Sequence, residues 1–556
     1  LVAQIEAEEK ERGPRRAVAG FDYTFSVPKS VSAVWAVADA GTQSLIAAAH
    51  HAAVAEMVEM VEQEIAATRV GATGPDGAVA QVDVMGVAAT AFDHYDSRSH
   101  DPQLHTHVVI SNKVKTVQDG KWRTLDGRPM HRAVVAISEM YNAVLADHLT
   151  RTFGLDWETR QRGRDRNPAW EITGVPDELI GEFSARSKFI EEEKNRLIDA
   201  YGARHGRQPS PRTVLKLRAQ ATLATRPNKD VRSLADLTTE WQQRATHVLG
   251  QDATTWARAL TSGEMLPATV RADDVPLEVI GQIGRAVTGV VGEKRSTWTR
   301  WNLHAEASRQ LMGLRFASTM DRTAITGMVV GAAEQASLRL TPPELAVSPL
   351  QFRRADGSSR FRPDASTVFS SEHLLEAEDR LLKRAEKTTA PTVPLETIET
   401  ITSKPDKEGR LLGEDQTAAL TAIALSGRVV DVLVGPAGAG KTTAMKALRR
   451  AWETENGRGS VVGLAPSAVA AQVLVRRTPP SGCTLSTRRE TRSRLASWSS
   501  SMKPPWRARS RSTRSPSRPS DRVRKCSWLV TGRNCNPWTR AARSPCSSTP
   551  ATMRPS

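Results

Sequence analysis

Residues 94–111 read HYDSRSHDPQLHTHVVIS and concentrate four of the chain's 12 histidines within 14 residues. The run that follows Pro102 is apolar and rich in β-branched residues, which predicts a strand. Side chains alternate between the two faces of a strand, so His105 and His107 share one face. The opposite face is predicted to enter a core, and it carries Thr106, Val108 and Ile110.

A second predicted strand brings a third histidine to the same face. The run VAQVDVMGVAATAFDH at 79–94 is typical of a strand, and turn-forming residues over 95–103 join it to the next strand as an antiparallel pair. Three imidazoles on one face can hold a divalent metal ion and leave positions open for a substrate. The alternative is a half-exposed polar sheet face without a metal. His100 falls in the turn. The predicted ligands are His94, His105 and His107.

The bulk composition describes a large chain without a membrane span. A length of 556 residues predicts three or four domains, and a hydrophobic content of 39% is adequate for packed cores. No run approaches the roughly 18–20 apolar residues that a spanning helix needs. The first residues, LVAQIEAEEKERGPRR, lack the apolar segment of a signal peptide. They also lack an initiator Met, so we expect that the start of the protein is missing.

The net charge of +16 lies at one end of the chain. Residues 476–556 hold 19 Lys and Arg against 2 Asp and Glu, whereas residues 1–475 hold 58 against 59, and all four cysteines fall in the last 81 residues. The segment is rich in Arg, Ser and Pro and lacks hydrophobic periodicity. It is either a disordered basic arm or the product of out-of-frame reading of a GC-rich gene. We favour the second interpretation because the fold that precedes it breaks off.

That preceding fold contains a phosphate-binding motif. Residues 429–443 read VVDVLVGPAGAGKTT and match G-x-x-x-x-G-K-[ST] between a strand-like run and a helix-like run. Backbone N–H groups of such a loop cradle phosphates, Lys441 would reach the β- and γ-phosphates, and Thr442 would hold Mg²⁺. No apolar run that ends in Asp-Glu follows Leu474, so the parallel sheet is expected to stop after two strands. The predicted nucleotide-binding residues are Gly435, Gly438, Gly440, Lys441 and Thr442, with Gln416 as a candidate reader of adenine.

The rest of the chain is predicted to be largely helical. Residues 20–35 indicate a strand, a turn and a helix start, residues 44–68 an amphipathic helix, and residues 130–154 a helix that ends at Gly154. Charged helical sequence continues to about residue 245. Helices with Pro-rich breaks follow over 250–400.

A three-histidine site followed by a helicase-like P-loop resembles one family, the MobF conjugative relaxases of the TrwC/TraI type. These proteins join an HUH endonuclease to a superfamily 1 helicase. The resemblance covers about 1–475. It is carried by FDYTFSVPKSVSAVW (21–35), HYDSRSHDPQLHTHVVISN (94–112), residues 126–160, GPAGAGKTT (435–443) and GLAPSAVAAQVL (463–474).

The resemblance implies roles for individual residues. The three histidines would be metal ligands, with Mg²⁺ or Mn²⁺ clamping a scissile phosphate. Asp22 would be a catalytic acidic residue that orients a histidine or takes a proton. Lys29 and Arg98 would contact DNA phosphates. The implied partners are single-stranded or hairpin DNA at an origin of transfer and the conjugation machinery, in the cytoplasm and without membrane contact.

The tyrosines depart from the family pattern. Such relaxases attack DNA with a tyrosine near their N-terminus, and the 19 residues before Gly20 contain none. We therefore expect this chain to be an inactive fragment of a protein that nicks origin DNA through a phosphotyrosyl link and unwinds it with ATP. The alternatives are a non-catalytic DNA-binding module and a replication-initiator-like nickase that uses Tyr141. The four tyrosines are Tyr23, Tyr95, Tyr141 and Tyr201.

The predicted fold is therefore an α/β multidomain chain. An HUH-type antiparallel sheet with helices is expected over 1–245, with its N-terminus missing. A mostly helical region over 246–400 would link it to the first part of a RecA-like P-loop domain over 401–475. A frameshifted, disordered basic tail is expected over 476–556.

Overall fold

The chain forms two compact units, Leu1–Leu374 and Leu375–Ser556, which are described separately. The computed structural model describes residues 18–71, 78–162, 167–206, 208–228, 230–263, 268–344, 347–405, 409, 411–435, 439–461 and 526–531. No helix among these residues combines the length and apolarity needed to cross a membrane.

A three-stranded antiparallel sheet lies at the centre of the first unit. Its strands are β1 (Gly20–Ser26), β4 (Ala89–Asp96) and β5 (Pro102–Ser111), in the order β1–β5–β4. The predicted alternation along β5 is confirmed, because Thr106, Val108 and Ile110 are buried. One face of the sheet therefore packs into the core, and the other carries the histidines.

Three helices cover the buried face. They are α1 (Lys29–Val37), α2 (Ala40–Met60, extended by a π-helical turn over Val61–Ile65) and α3 (Gly127–Phe153). The Asp39 carboxylate accepts the Thr42 N–H at the start of α2, which satisfies an otherwise orphan donor. α3 ends at Gly154 in the left-handed region, as predicted.

The prediction of one strand over 79–94 was wrong. The structure has β3 (Val79–Asp83), which pairs with β2 (Ala67–Gly71), and a separate β4 in the central sheet. Gly86 between them has a φ of +143°, a conformation that glycine tolerates and that turns the chain. Two further antiparallel ribbons follow: β6 (Lys113–Lys115) with β7 (Trp122–Thr124), and β8 (Trp157–Arg160) with β9 (Ala169–Ile172).

Helices form most of the remainder of this unit. They are α4 (Asp177–Glu182), α5 (Ala185–His205), α6 (Pro211–Ala224), α7 (Leu234–Leu249), α8 (Ala253–Leu260), α9 (Leu277–Lys294), α10 (Arg300–Leu311) and α11 (Thr319–Gln335). A short ribbon of β10 (Leu338–Arg339) and β11 (Phe369–Ser370) closes the unit, and 3₁₀ turns occur at Ala272–Asp274 and Leu350–Phe352.

The unit extends well past the boundary expected at residue 245. Ala253 and Ala257 of α8 and Trp301 of α10 belong to the same hydrophobic cluster as the sheet. The buried carboxylate of Asp147 on α3 also accepts from Arg322 Nη2 at 2.8 Å and from the Phe316 N–H at 3.2 Å. Removing one partner of such a buried ion pair costs about 3–5 kcal/mol. The helical region and the sheet are therefore one packed body.

The second unit contains α12 (Glu372–Glu386, which begins just before the boundary), α13 (Leu395–Thr402), α14 (Glu414–Leu425), β12 (Val430–Gly435) and α15 (Lys441–Asn456). A last strand, β13 (Cys526–Thr531), pairs with β12 in parallel. The expectation of disorder throughout 476–556 was wrong for this stretch. Its sequence, CSWLVT, is a β-prone run set among Arg and Lys. The rest of that segment, and the strand and helix expected over 461–474, lie almost entirely outside the described residues.

Candidate metal centre and nucleotide loop

The three predicted ligands meet on the outer face of the sheet. His94 on β4 is the direct cross-strand partner of His105 on β5, and His107 follows two residues along the same face. One nitrogen from each ring lies within 4.8 Å of the others. The ring centroids are 5.2–5.3 Å apart. This spacing allows one ion to contact all three rings after small side-chain adjustments.

Hydrogen bonds fix the orientation of two of the three rings. His107 Nδ1 lies 2.9 Å from both carboxylate oxygens of Asp22, and His105 Nδ1 lies 2.8 Å from the carbonyl oxygen of Gln103. An oxygen of either kind accepts a hydrogen bond from Nδ1–H. The proton therefore stays on Nδ1, and the Nε2 lone pair is available to a metal ion. Asp22 is therefore in contact with the site, as a partner of a ligand.

The surroundings of His105 favour its neutral imidazole form. Burial lowers the pKa of His105, and the neighbouring His94 and His107 lower it further, against the opposing effect of its bond to Gln103. A metal ligand must be the neutral ring, so this shift suits coordination. His94 and Asp22 remain exposed at the rim, so a large substrate can reach the site.

One contact at the site was not anticipated. Thr24 Oγ1 lies 3.1 Å from His107 Nδ1, next to the Asp22 carboxylate. The signal was present in the sequence, because Thr24 is two residues from Asp22 and so shares its face of β1.

The two residues expected to bind DNA phosphates have different surroundings. Lys29 Nζ donates to the Pro102 carbonyl at 2.7 Å, and burial lowers the pKa of Lys29 to about 8. Its ammonium group is thus engaged in holding the start of β5. Arg98 lies in the turn between β4 and β5, and both Arg98 and Arg226 are within electrostatic range of Arg186.

His100 has the turn role predicted for it. Its φ is +56°, in the left-handed region, and its Nδ1 lies 2.9 Å from Asp96 Oδ2. It is not part of the ligand cluster.

Three tyrosine hydroxyls have partners within the fold. Tyr23 donates to the Met130 carbonyl at 2.9 Å, and Tyr95 donates to the Arg232 carbonyl at 3.2 Å. Tyr141 is 2% exposed, and its hydroxyl lies 2.6 Å from His50 Nδ1. Burial raises the pKa of Tyr141 well above its usual value, which disfavours the phenolate. Tyr201 stacks on His205 with ring centroids 4.2 Å apart.

A cavity of about 1510 Å³ opens beside the histidine face. It follows β1 from Gly20 to Val27 and includes Asp22 and Thr24. Its far wall is formed by α3, β9 and α10.

In the second unit, a strand precedes and a helix follows the predicted phosphate-binding loop. β12 ends at Gly435, and Gly440, with a φ of +68°, caps α15. Lys441 Nζ donates to the Gly435 carbonyl at 2.6 Å, and Gln416 Nε2 donates to the Ala439 carbonyl at 3.1 Å. Thr442 occupies the first turn of α15. Gly438 lies outside the described residues.

The comparisons with known proteins match both regions. Residues 2–248 match the family model described as TrwC relaxase, and residues 411–508 match the model described as AAA domain. Two curated relatives share the name Multifunctional conjugation protein TraI. The one from Escherichia coli is 35% identical over 182 residues, and the one from strain K12 is 33% identical over 189 residues. The matched segments cover 31% and 32% of this chain but only 9% and 10% of those relatives.

Similar solved structures come from the same group. One is a conjugative relaxase TrwC in complex with oriT DNA in a copper-bound state, with 32% identity, 42% of this chain and 72% of that chain covered, and a TM-score of 0.35. Another is TrwC complexed with a 27-mer DNA comprising the recognition hairpin and the cleavage site, with 33% identity, 42% and 75% covered, and a TM-score of 0.34.

Proposed function

We propose that the first unit binds one strand of DNA and holds a scissile phosphate at the histidine site, since the chain belongs to the TrwC relaxase family. The parent activity would be a metal-dependent transesterification that nicks an origin of transfer and leaves a phosphotyrosyl link. The observation that carries this proposal is the convergence of three imidazoles on one sheet face, with two Nε2 atoms freed by hydrogen bonds at Nδ1.

The donor set fits a divalent ion. Imidazole donors suit Zn²⁺, Cu²⁺, Fe²⁺ and Ni²⁺ better than Mg²⁺, which prefers oxygen donors; of the two ions expected from the sequence, Mn²⁺ accepts nitrogen ligands more readily than Mg²⁺. A bound ion would act as a Lewis acid toward a phosphate oxygen. The residues of the chain contribute the rest: Asp22 fixes the His107 ring, the Gln103 carbonyl fixes the His105 ring, and Arg98 lies where a neighbouring DNA phosphate could bind.

The nucleophile is the part of the reaction that these residues do not supply. The hydroxyls of Tyr23, Tyr95 and Tyr141 are bonded to groups away from the histidine face. The fourth tyrosine, Tyr201, lies on α5 and stacks on His205. We therefore infer that the polypeptide of 556 residues binds DNA without cleaving it at an appreciable rate. The rival nickase that uses Tyr141 would need a buried, protonated phenol to reach the opposite face of β5.

The second unit is proposed to bind ATP with Mg²⁺ as the start of a helicase motor. The strand–loop–helix order around Lys441 and the match to an AAA domain support nucleotide binding. Gln416 would contact the adenine. Since Gln416 and Lys441 are bonded to backbone carbonyls of the loop, both side chains would have to reorient toward a nucleotide. The proposed partners are hairpin or single-stranded DNA and the conjugation machinery, in the cytoplasm.

A binding selection tests the proposal directly. A pool of DNA hairpins with randomised stems and 3′ single-stranded extensions is selected on the 556-residue protein in the presence of Mn²⁺. We expect one hairpin sequence to be enriched, and its affinity to fall when His105 and His107 are replaced by alanine or when the ion is chelated. Incubation of the selected hairpin with the protein is expected to give no covalent adduct.

The alternatives predict different results. Adduct formation that disappears in Tyr141→Phe would establish the Tyr141 nickase and contradict the proposed inactivity. Binding without sequence preference, unchanged by chelation and steeply weakened by salt, would indicate the non-catalytic DNA-binding module instead.

A further inference from the structure

A line of hydrogen-bonded side chains lies behind the histidine site, on the buried face of the sheet. The Tyr141 hydroxyl on α3 is 2.6 Å from His50 Nδ1 on α2, and His50 Nε2 is 2.8 Å from Thr106 Oγ1 on β5. Thr106 Oγ1 donates in turn to Asp93 Oδ1 on β4 at 2.5 Å. The line joins two helices to both strands that carry the candidate ligands.

The proton positions in this line follow from the donors available. Thr106 has one hydroxyl proton, and it is used toward the Asp93 carboxylate. His50 Nε2 must therefore donate to Thr106, and a neutral His50 then presents an unprotonated Nδ1 that accepts from the Tyr141 hydroxyl. Every donor and acceptor in the line is matched in one direction, so the bonds reinforce one another.

Burial keeps the line in this state at neutral pH. His50 and Thr106 are buried, and His50 has no exposed surface. Burial lowers the pKa of His50 to about 4, with the adjacent His51 adding to the effect, so the ring is neutral. The outer end at Asp93 is solvent-accessible and lies 3.0 Å from His51 Nε2.

The line contacts the two strands at the positions adjacent to the ligands. Thr106 is the residue between His105 and His107, and it is the cross-strand partner of Asp93. Asp93 directly precedes His94. The three imidazoles on the front of the sheet are therefore each one residue away from a side chain that is fixed on the back.

We propose that Thr106, His50 and Tyr141 are positioning residues for the metal centre. By fixing Thr106 against Asp93, they hold β4 and β5 in the register and twist that aim the three rings at one point. This inference rests on the proposed metal site. It assigns a positioning role to Tyr141, whose side chain is only 2% exposed and lies behind the sheet, away from the ligand face.

The test compares hydroxyl-deleting variants at matched positions. Thr106→Val is close in shape but lacks the hydroxyl, Thr106→Ser retains it, and Tyr141→Phe removes the far end of the line. Tyr23→Phe is the control, because its hydroxyl also ties the sheet to α3, through the Met130 carbonyl, but does not touch Thr106. Metal affinity is measured by Mn²⁺ titration, and folding by the melting temperature of the metal-free protein.

We expect a graded loss of affinity. Thr106→Val should weaken Mn²⁺ binding by about 10-fold, within the range seen when outer-shell partners of metal ligands are removed. Tyr141→Phe should have a smaller effect, and Thr106→Ser should restore most of the affinity. Tyr23→Phe should lower the melting temperature to an extent similar to Tyr141→Phe while Mn²⁺ affinity stays at the wild-type value.

A measurement without metal separates this inference from the proposed function. Amide hydrogen exchange at His105, Thr106 and His107 should be about 10-fold faster in Thr106→Val than in the wild type, because local opening becomes easier. If wild-type protein fails to bind any divalent ion, the metal site is refuted, and the exchange data still decide whether the line fixes β5. Affinity and exchange in Thr106→Val and Tyr141→Phe that match Tyr23→Phe would overturn the positioning role.

Discussion

The histidine site and the phosphate-binding loop differ in how their geometry is fixed. At the first, each ligand comes from a strand within an antiparallel ladder, and two rings are oriented by Asp22 and by the Gln103 carbonyl. At the second, Lys441 and Gln416 bond to backbone carbonyls of the loop itself. In the proposed functions, the first site would bind an ion with little rearrangement, whereas the second would have to exchange internal bonds for bonds to a nucleotide.

This difference has an energetic consequence. A preorganised site loses little free energy to rearrangement on binding. The removal of one ligand therefore weakens the binding free energy by nearly the whole contribution of that ligand. A loop whose side chains first break internal bonds gains only the difference between the old and the new bonds. Replacement of a metal ligand at the histidine site should therefore have a larger effect than replacement of a side chain at the loop.

The largest effect is expected for His105→Ala. The loss of one of three ligands should weaken Mn²⁺ binding by at least about 100-fold, beyond the 10–100-fold typical of outer-shell losses. Isothermal titration calorimetry measures the change. His100→Asn is the matched control, because this nearby histidine is not a predicted ligand and lies in a left-handed turn that asparagine tolerates. An equal loss in both variants would mean that the cluster acts as diffuse charge and not as a coordination site.

A smaller effect is expected at the loop. Lys441→Ala should weaken binding of a fluorescent ATP analogue by about 10-fold or more, since a hydrogen bond to a charged group contributes roughly 1.5–3 kcal/mol. Lys446→Ala, at an exposed position on the same helix, should leave the affinity unchanged. If the two variants bind equally well, the loop does not hold the phosphates of the nucleotide.

The smallest effect of the three is expected for Asp22. Asp22→Ala removes the acceptor that orients His107, so Mn²⁺ affinity should fall by about 10-fold. Asp22→Asn keeps an acceptor oxygen and should recover part of that loss. An Asp22→Asn variant as weak as Asp22→Ala would show that the negative charge, and not the orientation of the ring, is what matters.

The histidine face could be predicted because strand periodicity is a local property of the sequence. Alternation along β5 places His105 and His107 together, and the turn after His94 adds the third ring. The same reasoning merged β3 with β4, since both are apolar and the positive φ of Gly86 leaves little trace in the composition. The line through His50 was not predicted, because its residues come from three segments that are far apart in the sequence and meet only in the folded structure.

The packing of the helices after residue 245 against the preceding elements was not predicted either. Charge and proline content changed near residue 245, but Trp301 and the Asp147–Arg322 pair bind the following helices to the sheet. The strand at Cys526–Thr531 was missed because the surrounding Arg-rich composition masked a short β-prone run.

Pulsed electron paramagnetic resonance of the Mn²⁺-loaded protein shows directly whether three histidines coordinate one ion. The protein is labelled with ¹⁵N-histidine, and the nitrogens coupled to the ion are counted. We predict three coupled imidazole nitrogens, reduced to two in His105→Ala and unchanged in His100→Asn. An ion that couples to no histidine nitrogen, or a count that His105→Ala leaves unaltered, would show that the three histidines do not coordinate the ion.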